Sequence, residues 1–456
     1  MHVTRSSEAS SYGHDVTGPV VLRPGDAGYD DARRIHNGLI DRRPALVARC
    51  ASVDHVVTAV RIARERGLEI AVRAGGHGVA GRATTEGGVM IDLSPMRRVA
   101  IDAGSRTAAV QPGATWAEFD AAAQEHGLAT TGGVVSSTGV AGLTLGGGWG
   151  WLAGVHGLSV DNLLAADVVL ADGRVVTASA DAHPDLFWAL RGGGGGCGVV
   201  VGLRFQLHAV GPTLVGGLVA HPLDRAGDLL RFHRELTASA PDALTVSAGL
   251  ISTPDGTKLA ALVGCYVGAL DAGERAMRAV RAFGAPVLSN VGPLPYTAMN
   301  ALLDASFPAG ARNYWKSRFV DALSDDAIGT AVDAYARCPS PMTCVIFDHW
   351  HGMATRVAPA ATAFPHRRPG YSLLLLSQWQ DAAATAPNVA WTRDAYAALA
   401  PHTRAARYAN FLDQDDMGDA ELGEAYGGNR RRLRAVQAAY DPEGVFVRHE
   451  TRSPLP

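Results

Sequence analysis

The chain has 456 residues, 47% of them hydrophobic and 19% charged, which suits two or three ordered globular units with ample core and excludes a disordered chain. Its formal net charge is −3, with both signs mixed along the sequence. No basic stripe offers counterion release, so nucleic acid is not an expected partner.

In chain order, the polar stretch Met1–Asp15 has no apolar segment of signal-peptide type, and a cytoplasmic protein is expected. A helix follows over 52–66, with Val53, Val56, Val57, Val60 and Ala63 on one face, Ser52 as its cap and Gly67 at its end. Short strands are expected at 68–74 and 88–94, then a hairpin over 99–113 turning at Ala103-Gly104. Thr115 and Glu118 have the spacing of a capping box, opening a helix that stops by Gly127. A glycine-dense tract spans 132–162, and a strand pair over 165–179 turns at Asp172-Gly173. Beyond about Pro212 the texture changes. Strands at 243–252, 258–268, 341–352 and 371–379 alternate with helices at 271–283 and 324–337. The longest apolar run, Leu163–Ala171, is too short to span a bilayer and contains Asp167, so no membrane partner is expected. The five cysteines lack metal-site spacing and form an odd set, which suits reduced thiols.

Most of the clustered glycines lie between Gly75 and Gly198, where the backbone must turn tightly or approach something closely. Gly76-His77-Gly78-Val79-Ala80-Gly81 is literally a G-x-G-x-x-G after a strand. However, two glycines within the next seven residues oppose a helix there, and a bulky histidine sits badly in a phosphate-hugging turn, so a nicotinamide Rossmann site is disfavoured.

Arg73, Gly75, Gly76 and His77 instead form R-x-G-G-H at a strand-to-loop turn. This resembles the berberine-bridge-enzyme-like branch of the vanillyl-alcohol-oxidase flavoproteins. Four further motifs carry the resemblance in order: 156–162, 183–201, Tyr408-Ala409-Asn410-Phe411, and 440–446. The resemblance covers most of the chain. It implies an α+β fold of two domains, an FAD-binding domain (1–205 with 403–456) and a substrate domain (206–402) whose antiparallel sheet is covered by helices. It also implies an FAD-dependent oxidase whose flavin is bonded through His77. A hydride would pass from a substrate C–H to flavin N5, with dioxygen as acceptor, on a small-molecule substrate, in a monomer or homodimer with no metal.

The motif positions name the expected FAD contacts. In the first strand and loop these are Arg73, Ala74, Gly75, Gly76, His77, Gly78 and Gly81. The glycine tract supplies Val135, Ser137, Thr138, Gly139, Gly142, Leu143, Gly148 and Gly150, then Gly157, Leu158 and Asn162. Gly198, Val200, Tyr408 and Asn410 complete the set. Many relatives attach the flavin a second time through a cysteine in G-V-C-x-x-x-G. Here Val135 occupies that position, so a single attachment is expected. Val135, Thr138 and Leu143 resemble residues flanking the oxygen-reactive side of the flavin in oxygenating members, which brings Thr138 into the candidate catalytic set. An aromatic or polyketide-like substrate of natural-product tailoring is the first expectation. Catabolic amine or alcohol oxidation, or oxygenation through a flavin N5-oxide, is the alternative.

Tyr408 is the first candidate base or substrate orienter, and Phe411 replaces the second tyrosine of the family motif. A second candidate comes from the strand over 343–351, where alternation puts Val345, Phe347, His349 and His351 on one face and Asp348 and Trp350 on the other. Relatives take a base or substrate contact from this strand, which makes His349 or His351 the candidate. His349-Trp350-His351 also has the spacing of two metal ligands, but no carboxylate motif accompanies it. Trp149 and Trp151 are candidates to wall an apolar pocket, and Cys197 reads as a small packing residue.

Overall fold

The computed structural model describes residues 18–446; the polar stretch Met1–Asp15 and the end of the carboxy-terminal domain segment lie outside them. The expected helix forms as Val53–Glu65, with the Ser52 hydroxyl accepting from the His55 N–H at 3.3 Å. Val56, Ala59, Val60 and Ala63 are buried against strands Leu46–Arg49, Ile70–Arg73 and Val89–Asp92. Those strands are parallel neighbours, with Val20–Leu22 added antiparallel at one edge. The connection from Ile70–Arg73 to Val89–Asp92 holds no helix, as the glycines after Gly81 implied.

A second sheet of five antiparallel strands runs in the order Val99–Asp102, Thr107–Val110, Val199–Gln206, Leu163–Val169, Val175–Ser179. Its turn at Gly173 takes a φ of +85°, the left-handed conformation glycine adopts at no steric cost. The capping box at Thr115 and Glu118 is present and starts the helix Trp116–Gln124.

An eight-stranded antiparallel sheet occupies residues 213–379. Its middle strands are Leu244–Ser252, Cys344–Trp350 and Gly370–Trp379. Period-two alternation divides this sheet cleanly. Val246, Ala248, Val345, Phe347, Leu373 and Leu375 pack under the helices Ala226–Ala238, Leu270–Ala282, Asp325–Ala336 and Thr385–Leu399. The opposite face carries Ser247, Ile346, Asp348, Leu374 and Leu376 and turns toward the glycine tract. The chain then returns: Leu422, Leu433 and Val436 join the core of the five-stranded sheet, and Phe446 bridges to Ile70. The architecture is thus α+β, in two sheet systems with a gap between them. The five cysteines are free, and burial pushes the Cys197 thiol up to about 12, as suits a packing residue. Among the described residues, no helix is long and apolar enough to cross a membrane.

Candidate active site

The gap between the sheets is a cavity of about 970 Å³. The histidine loop forms one wall because two distant backbones touch there. A Cβ on Gly75 would lie 2.5 Å from the Gly139 Cα, and one on Gly139 would lie 2.7 Å from the Gly75 Cα. Both positions therefore require glycine, and their contact locks the loop over 74–78 onto the tract over 133–143. Arg73 anchors the entry to the loop from behind. Its guanidinium pairs with Asp92 at 2.7 Å and donates to the Arg34 carbonyl at 2.9 Å.

His77 is the functional group this wall presents. Its Nε2 is buried with no hydrogen-bond partner, and its ring stacks on His36 at 3.8 Å between centroids. Burial pushes its pKa down to about 3, and the neighbouring His36 adds to the shift. The imidazole is therefore neutral at any working pH, so it can act as a nucleophile.

Of the residues expected to contact a cofactor, Ala74, Gly75, Gly76, His77, Gly78, Val135, Thr138, Gly139, Gly142, Leu143, Gly198, Val200, Tyr408 and Asn410 line this cavity. Trp149 and Trp151 line it as well. The others do not reach it. Arg73 and Ser137 face a smaller neighbouring pocket. Gly81, at φ +72°, turns against Ile40. Gly148 and Gly150 serve the tract's own folding: a Cβ on either would collide with Ser159 Oγ at 2.1 Å or the Gly132 carbonyl at 1.8 Å. The Gly157 carbonyl accepts from Thr131 Oγ1, and the Leu158 N–H donates to Asp161. Asn162 ties His156, Leu158 and His208 together. These six are scaffolding of the wall rather than its surface.

The strand Cys344–Trp350 corrects the sequence reading. Its faces alternate as expected, but the cavity takes the Asp348 face. His349 points into the helix-covered side, 5.9 Å from Tyr371, and stacks on His351 at 3.9 Å, while His351 meets Thr245 Oγ1 at 3.3 Å and packs against Gly154. Burial pushes His349 down to about 2, with His351 and His233 adding to the shift, and its Nδ1 has no partner. Alternation sorts side chains onto two faces but does not say which face a helix layer will cover. The available signal was an aspartate within an apolar strand.

Among the described residues, Asp348 is the one carboxyl lining the cavity. Burial raises its pKa to about 7, opposed by the Ser247 hydroxyl donating to Oδ1 at 2.8 Å. A carboxyl poised near neutrality can hold or take a proton at little cost. The Tyr408 hydroxyl oxygen accepts from the backbone N–H groups of Gly148 (2.8 Å) and Trp149 (3.1 Å) and from Asn410 Nδ2 (3.0 Å). Burial still pushes its pKa up to about 12, so Tyr408 keeps its proton and fits an orienting role better than that of a base. Phe411 sets its ring edge-on to Tyr408 at 4.7 Å and also lines the cavity. The segment holding these residues is clamped to strand Arg312–Val320: Lys316 pairs with Asp416 at 2.6 Å and the Trp315 N–H donates to Asp413 at 2.8 Å.

Among the described residues, no group of three His, Cys, Asp or Glu side chains is arranged to hold a metal. The cavity does fit a long flat cofactor. Gly78, Gly142 and Gly195 border it with open space where a Cβ would stand, so backbone is presented directly to whatever binds. His77, with its partnerless Nε2, borders the same space.

Comparison with known proteins agrees. Residues 44–179 match the FAD binding domain family, and residues 407–451 match the berberine and berberine-like family. The chain is 32% identical to (R)-6-hydroxynicotine oxidase of Paenarthrobacter nicotinovorans, over 93% of this chain and 94% of that one. It is 28% identical to a xylooligosaccharide oxidase of Thermothelomyces thermophilus, over 94% and 90%. The crystal structure of 6-hydroxy-D-nicotine oxidase from Arthrobacter nicotinovorans superposes with a TM-score of 0.85 at 29% identity, covering 95% of this chain and 97% of that one.

Proposed function

This chain belongs to the berberine-like FAD-linked oxidoreductases, and from that premise we propose that it is an oxidase carrying its flavin on a single covalent bond to His77. When bound, FAD supplies the redox chemistry, accepting a hydride from a substrate C–H and passing the electrons to dioxygen. The observation that carries the reading is the half-buried, neutral His77, its Nε2 buried without a partner, lining a cavity that glycines keep open. With Val135 at the position of a second linkage and no cysteine but Cys344 lining the cavity, one bond is the expected number.

The chain's own groups divide the remaining work. Asp348 takes the O–H or N–H proton of the substrate as the adjacent C–H is oxidised, with Ser247 orienting its carboxyl. Tyr408, held by three donors, fixes the segment that carries Asn410 and Phe411. Thr138, Val135 and Leu143 border the same cavity and leave room for dioxygen. Trp149, Trp151, Phe307, Trp315, Phe411, Leu374 and Leu376 make the lining largely apolar and aromatic, so the substrate is an aromatic or polyketide-like small molecule of natural-product tailoring rather than a sugar. A second reading, amine oxidation as the name of the nicotine-oxidising relative suggests, rests on the 32% identity.

The first test is acid precipitation. Yellow flavin should stay in the washed pellet of the wild type and leave that of His77→Ala; release from the wild type refutes the covalent reading. Turnover in labelled dioxygen then separates oxidation from oxygenation, since label in the product would show oxygen insertion and peroxide alone would exclude it.

A further inference from the structure

His77 stands in a loop that gives its side chain little guidance. Gly75, Gly76 and Gly78 flank it with no side chains, and Gly76 takes a φ of +67°. Among the described residues, the ring packed against it is that of His36, stacked at 3.8 Å with 19° between the planes. His36 is itself held on both sides of its backbone. Its N–H donates to the Gly76 carbonyl at 3.0 Å, and its carbonyl accepts from the Gly310 N–H at 2.9 Å. The His36 Nε2, like that of His77, is buried without a partner, so the pair is joined by ring faces and not by a hydrogen bond. A smaller cavity of about 630 Å³ also reaches the pair, lined by Arg34, Arg73, Ser137 and Asp304 among others.

We infer that His36 is a positioning residue for flavin attachment, its ring face holding the His77 imidazole in the orientation from which it attacks. The inference rests on the covalent reading proposed above. In that linkage a bond forms between a His77 ring nitrogen and the carbon of the 8α-methyl. One methyl C–H and the imidazole N–H each release a proton. The C–H electron pair stays on the ring system as its two-electron reduction, and dioxygen then carries the pair and two protons away as hydrogen peroxide. The step needs one ring plane fixed against one carbon, and small misplacements there are costly in rate.

Both His36 and His77 border the smaller cavity, and the His36 ring covers the stacked face of the His77 imidazole. The charged groups facing the pair are already matched: Arg34 with Asp31 at 2.8 Å, Arg73 with Asp92 at 2.7 Å, and Asp304 with the Ser136 N–H at 2.8 Å. Removing the His36 ring therefore chiefly hydrates His77.

The test reconstitutes apo-protein with FAD, quenches samples in acid over time, and measures flavin in the pellet. His36→Phe keeps a flat ring and should attach within about threefold of the wild-type rate. His36→Ala and the volume-filling His36→Leu should be slowed about tenfold or more. Non-covalent FAD affinity, read by flavin fluorescence before attachment, should be unchanged in all three. Attachment in the wild type and His36→Phe should not fall until well below pH 6, whereas in His36→Ala the acid limb should move toward about 6.5, the ordinary imidazole value. Wild-type rates in His36→Ala and His36→Leu would overturn the inference, as would a His36→Phe as slow as either. Free flavin from the wild type would overturn it together with the covalent reading, so the two failures are told apart.

Discussion

Replacing Asp348 with asparagine keeps the side-chain shape and removes a carboxyl from the cavity wall. If this group takes the substrate proton, kcat/KM should fall by about 10²- to 10⁴-fold, the usual contribution of a positioned base. The pH profile follows from the environment. Burial holds the carboxyl at about 7, so half is ionised at neutrality and activity drops about tenfold per pH unit below it. Ser247→Ala removes the hydroxyl that stabilises the charged form. A hydrogen bond to a charged group is worth about 1.5–3 kcal/mol, so the acid limb should rise by about one pH unit or more. Stopped-flow flavin reduction with a substrate from an oxidase screen measures the rates. Infrared titration of the protonated-carboxyl C=O band follows the group without any substrate. A wild-type acid limb retained in Asp348→Asn would refute the assignment, and so would a limb that Ser247→Ala moves downward.

Gly139→Ala sets a Cβ 2.7 Å from the Gly75 backbone, where neither chain can yield. FAD content, read from the visible-to-ultraviolet absorbance ratio, should drop and stability should fall by about 1–3 kcal/mol in a thermal melt. Tyr408→Phe leaves the Gly148 and Trp149 N–H groups without their acceptor, while Asn410 Nδ2 keeps the Leu143 carbonyl, costing about 1–3 kcal/mol of stability. Its pH profile should nevertheless keep the Asp348 limb; loss of that limb would return Tyr408 to the role of base. His349→Phe should leave kcat/KM within about threefold, because the ring faces the helix layer. It should also change stability with a defined sign. In the wild type the folded imidazole stays neutral down to about 2 while the unfolded one binds a proton below about 6.5, so stability is lost as pH falls through that window. Denaturant unfolding should therefore favour the variant by roughly 1 kcal/mol more at about pH 5.5 than at about pH 7.5.

Local chemistry made much of this protein legible in its sequence. Ser52 and the Thr115/Glu118 pair satisfy helix-end N–H groups from within a few residues, so those starts could be read directly. Gly75, Gly76 and His77 announced a loop in which backbone must approach something closely, and their neighbours excluded the helix that a dinucleotide fold needs there. Alternation along 344–350 was likewise a local property and held. What no local rule could supply was which side of each element would face the cavity. The helices Ala226–Ala238, Asp325–Ala336 and Thr385–Leu399 cover the Val345/Phe347 face and carry His349 away from the site, leaving Asp348 on it. The same holds for Gly148, Gly157 and Asn162, whose motif positions do not distinguish a cavity wall from the scaffold behind it. The contact between Gly75 and Gly139 and the stack of His36 on His77 join segments far apart in sequence. Burial, and with it the shifts that make His77 neutral and Asp348 a poised carboxyl, exists only once those segments have met, because it is set by everything packed around a group rather than by its neighbours along the chain.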